Sequence, residues 1–469
     1  MTSNHVISDA VSSQRQTVGD QVIDLTDVPA GRDGAMAAFE HAVSVSAGYR
    51  EWLARQGVDP ARTTAFEQVP YLAKRDVFGE DLRQWIDGGS VTTAAELLTS
   101  SGQSGAFSVG LTSEAELRGL QETTDAALRA VGAGEGCSTL LLNCLPMGIS
   151  VPTTIATVAT PSVHLDMAQE LFERFSPEFD LVVILAEPVF LKELAERLFA
   201  VHGAAWTADK LACVVGGEWV SESWRRHVSG LLGLGSARAQ GTAGVLISMG
   251  AAELGLHLLF ETPELRAIRS VLDTSGQEHG IFAQVWGYTP TLFAFDPQRL
   301  HIEERQHADG TATLAFTPLA HRLLPLVRYD LDDIGEIVPA ERVNAALAAL
   351  GAPLRVDHPV AAVWGRRSAG LVIDDRVVRP ELIKQRLFSS SAQAAVVTGR
   401  FYLEHSRDPV LHLQLRPAMI ATPRLAADFG AFLDDVTGTT CGVAVHLHDD
   451  YPFHQPGDLQ HKPTYQAAR

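Results

Sequence analysis

The chain has 469 residues, 46% of them apolar and 20% charged, a globular composition with ample core material for two to four domains. Its 37 Lys and Arg against 56 Asp and Glu leave a formal charge of −19, which argues against a nucleic-acid polymer or an anionic membrane surface as partner. An anionic small molecule is not excluded, because backbone N–H groups and a few local cations can hold a phosphate inside an acidic protein.

Residues 1–19 are polar and offer no signal-peptide core, and apolar runs such as 181–186 fall far short of the ~20 residues a membrane helix needs. Cys137, Cys144, Cys213 and Cys441 are scattered, with no CxxC or Cys/His cluster, so neither a zinc site nor a disulfide framework is indicated. The simplest reading is a cytoplasmic protein with reduced thiols.

In chain order, residues 1–30 read as weakly ordered. Residues 35–54 place Phe39, Val43, Tyr49, Trp52 and Leu53 at helical spacing, and 74–86 also reads as helix. A Ser/Gly-rich loop, 99–105, follows. Residues 113–130 form a predicted helix opened by the capping sequence Ser113-Glu114-Ala115-Glu116. Buried strands are expected at 138–144, 181–185 and 211–215, alternating with helices at 188–200 and 221–232, which indicates βαβ units and a mostly parallel sheet. Between 280 and 336 the runs 281–286, 291–295 and 311–316 are β-like, with a hairpin turn at Asp309-Gly310, and suggest an antiparallel sheet or small barrel. Past Trp364-Gly365-Arg366 the order is hairpin (371–378), helix (380–388), two strands, helix (421–436) and strand (442–448), a compact α+β module of about 100 residues.

Four segments could carry chemistry. Thr99 to Gly105 (TSSGQSG) combines hydroxyls with glycine-exposed N–H groups, which suits phosphate oxygens, although no GK[ST] follows. Ser248-Met249-Gly250-Ala251-Ala252-Glu253 lets a loop approach a ligand closely, beside a carboxylate able to hold a divalent ion. Asp330, Asp332 and Asp333 follow an apolar strand, and Asp333 could accept from a sugar diol. Gly365-Arg366-Arg367-Ser368 suits a hinge near an anion. Each segment alone also reads as an ordinary turn, a helix start or a linker.

Their order and spacing together resemble the adenylate-forming (acyl-CoA ligase) superfamily, in particular its phenylacetate–coenzyme A ligase-like branch. The opening segment joins the match through Tyr49-Arg50-Glu51-Trp52-Leu53 and Val69-Pro70-Tyr71-Leu72-Ala73-Lys74-Arg75-Asp76. Glu253-Leu254-Gly255-Leu256-His257 and Glu261-Thr262-Pro263-Glu264 look like a secondary-metabolism subgroup, with antibiotic biosynthesis and phenazine tailoring among its settings. The resemblance covers residues 35–469. It implies an α/β fold with a large adenylation domain, 31–365, of stacked, mostly parallel sheets plus a small antiparallel barrel-like sheet. A small mobile α+β C-terminal domain, 366–469, would follow.

It also implies ATP and Mg2+ as cofactors, with coenzyme A, a carrier-protein thiol or an amine as acceptor. Ser100, Ser101, Gly102, Gln103, Ser104 and Gly105 would cradle phosphates. Gly216, Gly217, Glu218, Met249 and Gly250 would flank the adenine. Glu253 would bind magnesium, Asp333 and Arg366 would sit at the ribose, and Lys462 would be the catalytic lysine on the mobile domain. Departures are the loop's missing basic residue, Met249 for an aromatic, Asp332 for a glycine and Ser368 at the hinge. The leading expectation is adenylation of a small aromatic carboxylic acid, with Met147, Trp219 and Met249 suiting a flat ring. The alternatives are ATP- and nitrite-dependent diazotisation of an aromatic amine, and a non-catalytic binding homologue.

Overall fold

The computed structural model describes residues 15–18, 21–24, 31–79, 81–100, 107–203, 210–234, 244–276, 280–373, 376–404, 409–437, 441–453 and 465. Six strands form one sheet in the order Gly255–Phe260, Gly244–Ala251, Leu211–Gly216, Leu181–Ala186, Thr139–Cys144, Thr157–Ala159. Its pairings are parallel except at the first edge, where Ser248 faces Phe260 across an antiparallel pair. The central strands, such as LVVILA at Leu181–Ala186, are apolar along their whole length because helices cover both faces. Leu181–Ala186 and Leu211–Gly216 are followed by the helices Pro188–His202 and Glu222–Leu231, the second capped by the Ser221 hydroxyl on Trp224 N–H. The helix Glu114–Ala130 opens with a full capping box between Ser113 and Glu116, as the sequence suggests.

A second sheet runs Thr291–Phe293, Val360–Arg366, Tyr329–Val338, Ala312–Pro318, Leu300–Gln306, all antiparallel, with the short strand Leu72–Ala73 added parallel to Tyr329–Val338. The third, Val397–Glu404, Val410–Leu415, Gly442–His446, belongs to the C-terminal module with helices Pro380–Leu387 and Pro423–Thr437. The expected α/β class therefore holds, with the parallel character concentrated in one sheet.

Several local expectations change. The predicted helix 35–54 is two helices, Gly31–Val45 and Ala47–Arg55, broken where buried Ser46 caps Tyr49 N–H. The predicted helix 74–86 ends at Phe78, since Gly79 caps it and Asp81 starts a separate 3-10 turn. Residues 281–286 form no strand. Arg15–Val18 and Gln21–Asp24 pair as a hairpin within the stretch read as weakly ordered.

The C-terminal module docks on the helices after the second and third central strands. Lys192 is buried, pairs with Glu196 and donates to Val397 O at 2.7 Å, and Arg416 reaches Glu196 at 2.7 Å. His227 lies beside them, 6.3 Å from the Phe388 ring. Burial, reinforced by the Lys192 and Arg416 charges, pushes its imidazole down to about 4. A histidine with a depressed native value favours the neutral state, so its contribution to docking is complete above pH 6.5 and is lost as the pH falls toward 4. Small-angle scattering between pH 7.5 and 5 should show the two domains loosening on acidification, and His227→Phe should flatten that response.

Candidate active site

The site forms where the parallel strands end, the usual place for ligands in open α/β sheets. Gly216 and Ser248 are register partners on adjacent strands, the last such pair before Gly217 and Glu218 on one chain segment and Met249 and Gly250 on the other. Gly217 is exposed with φ +94°, a left-handed backbone that favours glycine. Gly250 has no room for a side chain: a Cβ would lie 2.4 Å from Leu256 O. Beyond them the chain turns at Glu253.

Glu253 is 4% exposed, and both its carboxylate oxygens are engaged. The Ser108 hydroxyl donates to Oε2 at 2.8 Å, and the Tyr329 hydroxyl donates to Oε1 at 2.9 Å. Burial, reinforced by the Glu253 charge, pushes the Tyr329 phenol far up, so it remains a donor. Arg322 fixes the same turn by donating to Leu254 O while its Nε holds Glu116 at 2.8 Å.

Ser108 immediately precedes the strand Val109–Thr112, which pairs with Glu96–Thr99, the strand just before the Ser/Gly segment in sequence. Of the loop's candidates, Ser100 is described, while Ser101, Gly102, Gln103, Ser104 and Gly105 lie outside the described residues. Ser100 Oγ accepts from Ser108 N–H at 2.9 Å and from Lys74 Nζ at 3.3 Å. Lys74 reaches it because Leu72–Ala73 pairs with Tyr329 and Asp330, and Leu72 N–H donates to Arg328 O at 3.0 Å. Arg328 locks this junction, its guanidinium 3.9 Å from the Tyr71 ring centroid and donating to Val69 O. One polar chain thus runs from Lys74 through Ser100, Ser108 and Glu253 to Tyr329.

Asp333 and Arg366 are register partners in the second sheet, with Arg366 Nε 4.0 Å from the Asp333 carboxylate. Asp332 has φ +66°, which explains why a glycine suits this position. It is held there by its own N–H on Asp330 at 2.7 Å and by Ser368 N–H on its carboxylate at 2.8 Å. Arg379 donates to both Arg366 O and Arg367 O, at 2.9 and 3.0 Å, so the expected hinge is gripped on two sides.

Glu218 points at the C-terminal module. Its Oε2 accepts from Lys384 Nζ and Tyr465 OH, both at 2.5 Å, and Oε1 is buried without a hydrogen-bond partner among the described residues. Lys462, three residues before Tyr465, lies outside the described residues. Trp219 packs in the core, edge-on to Tyr288 at 5.0 Å with Arg269 on its face, so it offers no open face for a ring, while Met249 is half-buried against the main core.

The sequence reading missed Ser108, Tyr329, Lys384 and Tyr465 and did not assign Lys74 to the site. Lys74 and Tyr329 sat inside motifs already singled out, whereas Ser108, Lys384 and Tyr465 carry no local signal. Among the described residues no group of three or more His, Cys, Asp or Glu could hold a metal. None of the four cysteines forms a disulfide, and burial pushes Cys144 up to about 12, which leaves it unreactive. Among the described residues no helix is long and apolar enough to cross a membrane.

No protein-family model matches the sequence, and no curated protein matches it. Solved structures do match its shape. A 2-hydroxyisobutyryl-CoA ligase in its postadenylation state, bound to R3-HIB-AMP, is 13% identical with a TM-score of 0.65, covering 93% of this chain and 88% of that one. The same ligase in its thioesterification state gives 0.51 over the same shares, at 13% identity. Fatty acyl-adenylate ligases from E. coli and L. pneumophila give 0.51 at 14% identity, over 79% of this chain and 68% of that chain. The chain has the two-domain fold of the adenylate-forming ligases.

Gly110 packs against the Glu253 turn so closely that a Cβ would fall 1.8 Å from Ala252 O. Gly110→Ala must move one backbone or the other, and a loss of about 1–3 kcal/mol is expected in denaturant unfolding.

Proposed function

We propose that the protein activates a small carboxylic acid with ATP, releasing pyrophosphate and forming an acyl-adenylate for transfer to coenzyme A or another acceptor. The observation that carries this reading is the chain Lys74–Ser100–Ser108–Glu253–Tyr329, which joins a cation, a hydroxyl-rich hairpin and a buried carboxylate. The fold, and the better overlap with a postadenylation than with a thioesterification arrangement, support it.

The residues fit a divalent ion: Glu253 is buried and its two partners are neutral hydroxyls, so its charge is left for a cation to balance. Glu253 would hold magnesium together with triphosphate oxygens, where the ion supplies charge neutralisation. Lys74 supplies the positive charge that the Ser/Gly loop lacks, beside Ser100, and Ser101 to Gly105 would add N–H and hydroxyl donors. The orphaned Glu218 Oε1, next to exposed Gly217, suits the exocyclic amine of a purine. Asp333 and Arg366 would address the ribose, Met249 and Gly250 would border the base, and Lys462 would meet the carboxylate and α-phosphate. Tyr465, held on Glu218, anchors the chain three residues beyond Lys462.

Pyrophosphate release should appear with ATP, Mg2+ and a suitable acid. Lys74→Met should raise the KM for ATP roughly tenfold, the effect of losing one charge-assisted contact. ATP binding without pyrophosphate release from any acid contradicts acid activation. A diazo product from an aminobenzoate, ATP and nitrite would establish the amine chemistry in its place.

A further inference from the structure

An apolar pocket, partly open to solvent on its helix side, lies beneath the proposed nucleotide segment. Leu185, Val214 and Leu246 are successive register partners across three central strands, one layer below Gly216 and Ser248. The helix Glu114–Ala130 lies over them, and between the two is a cavity of about 50 Å³ lined by Ala127, Leu128, Leu185, Val214, Leu246 and Ser248, among others. Glu261 at its edge is engaged by Arg225 at 2.9 Å and by Ile247 N–H at 3.1 Å, so it presents no unpaired carboxylate to an occupant.

The wall is preformed. Asp125 of the helix accepts from the Thr153 and Thr154 hydroxyls, both at 2.5 Å, and from Thr154 N–H at 3.0 Å. Asn143 donates to Ile149 O at 2.7 Å and accepts from Leu145 N–H at 3.2 Å. These bonds tie the segment containing Val151, a further lining residue, to the helix and the sheet. The space therefore has fixed sides, small residues at Ala127 and Ala130, and the Ser248 hydroxyl at its sheet end, while the Thr124 hydroxyl donates to Leu120 O and the Thr262 hydroxyl accepts from Leu265 N–H.

We propose that this cavity takes the apolar tail of the acid, and that the substrates are short aliphatic acids. The proposal rests on the acid-activation reading above and names its substrate class. An apolar cavity of ~150 Å³ accommodates benzene, so about one third of that volume takes roughly two to four carbons beyond the carboxyl and not a ring. The tail would lie between the helix and the sheet, with the carboxyl at the Ser248 end, level with Gly216. A mainly apolar lining rewards each buried methylene by about fourfold in affinity and rejects a charged or strongly polar tail.

Two measurements on the full chain test this. Pyrophosphate release is assayed with acetate, propionate, butyrate, isobutyrate, hexanoate, benzoate and phenylacetate, and saturation-transfer NMR reads butyrate and benzoate binding directly. The expected result is a kcat/KM maximum at propionate to isobutyrate, with benzoate and phenylacetate at least about tenfold lower, in line with two or more unaccommodated carbons. Ala127→Leu, which fills the space, should abolish the butyrate signal and cut its kcat/KM about tenfold while altering acetate little. Leu246→Ala, which enlarges it, should raise benzoate relative to butyrate. A preference for aromatic acids, or an acid profile and butyrate signal unchanged in Ala127→Leu, overturns the proposal. Butyrate binding that disappears in Ala127→Leu, without pyrophosphate release from any acid, keeps the pocket and removes the acid-activation reading.

Discussion

The buried carboxylate of Glu253 is the constraint around which the large domain's site is arranged. A carboxylate removed from water must be hydrogen-bonded or paired. Here the two donors come from different elements, Ser108 from the hairpin and Tyr329 from the second sheet. Satisfying one charge therefore fixes the hairpin, the end of the parallel sheet and the antiparallel sheet relative to one another. The Gly110 contact with Ala252 and the Arg322 bond to Leu254 O reinforce the same junction. Neutral donors do this without cancelling the charge, which is what the proposed cation-holding role requires.

The small domain meets this junction through a second carboxylate, Glu218. Lys384 and Tyr465 converge on it, and Lys384 also sits 4.6 Å from the Tyr465 ring centroid. A residue adjoining the proposed nucleotide segment is thus also the residue that the small domain grips. Rotation of that domain would break these bonds and the Lys192–Glu196–Arg416 contacts together. The expected hinge is braced by Arg379 and by the Asp332–Ser368 bond, so a rotation there would pivot on a strand end held within the second sheet.

Much of this was legible in the sequence because the central strands are fully buried and read as continuous apolar runs. LVVILA and LACVVG can scarcely be anything else, and the capping box at Ser113 marks its helix without tertiary help. The failures have physical causes. The helix expected over 35–54 breaks because buried Ser46 prefers to cap Tyr49 N–H, and the one over 74–86 stops because Gly79 and Asp81 favour turns. In the site, motif residues such as Glu253 and Asp333 announce themselves by their neighbours. Ser108 and Tyr465 do not, since their roles come from partners 145 and 247 positions away. Trp219, expected to suit a flat-ring substrate, packs instead in the core with Tyr288 and Arg269.

The central claim is that Glu253 is a cation-holding carboxylate within a triphosphate site. Calorimetric titration of ATP with and without Mg2+, on the natural chain and on Glu253→Gln, tests it most directly. The glutamine keeps an oxygen that can accept from one hydroxyl but removes the charge. The account predicts ATP binding strengthened at least about tenfold by Mg2+ in the natural chain, with that dependence lost in the variant. Equal Mg2+ dependence in both proteins would contradict it.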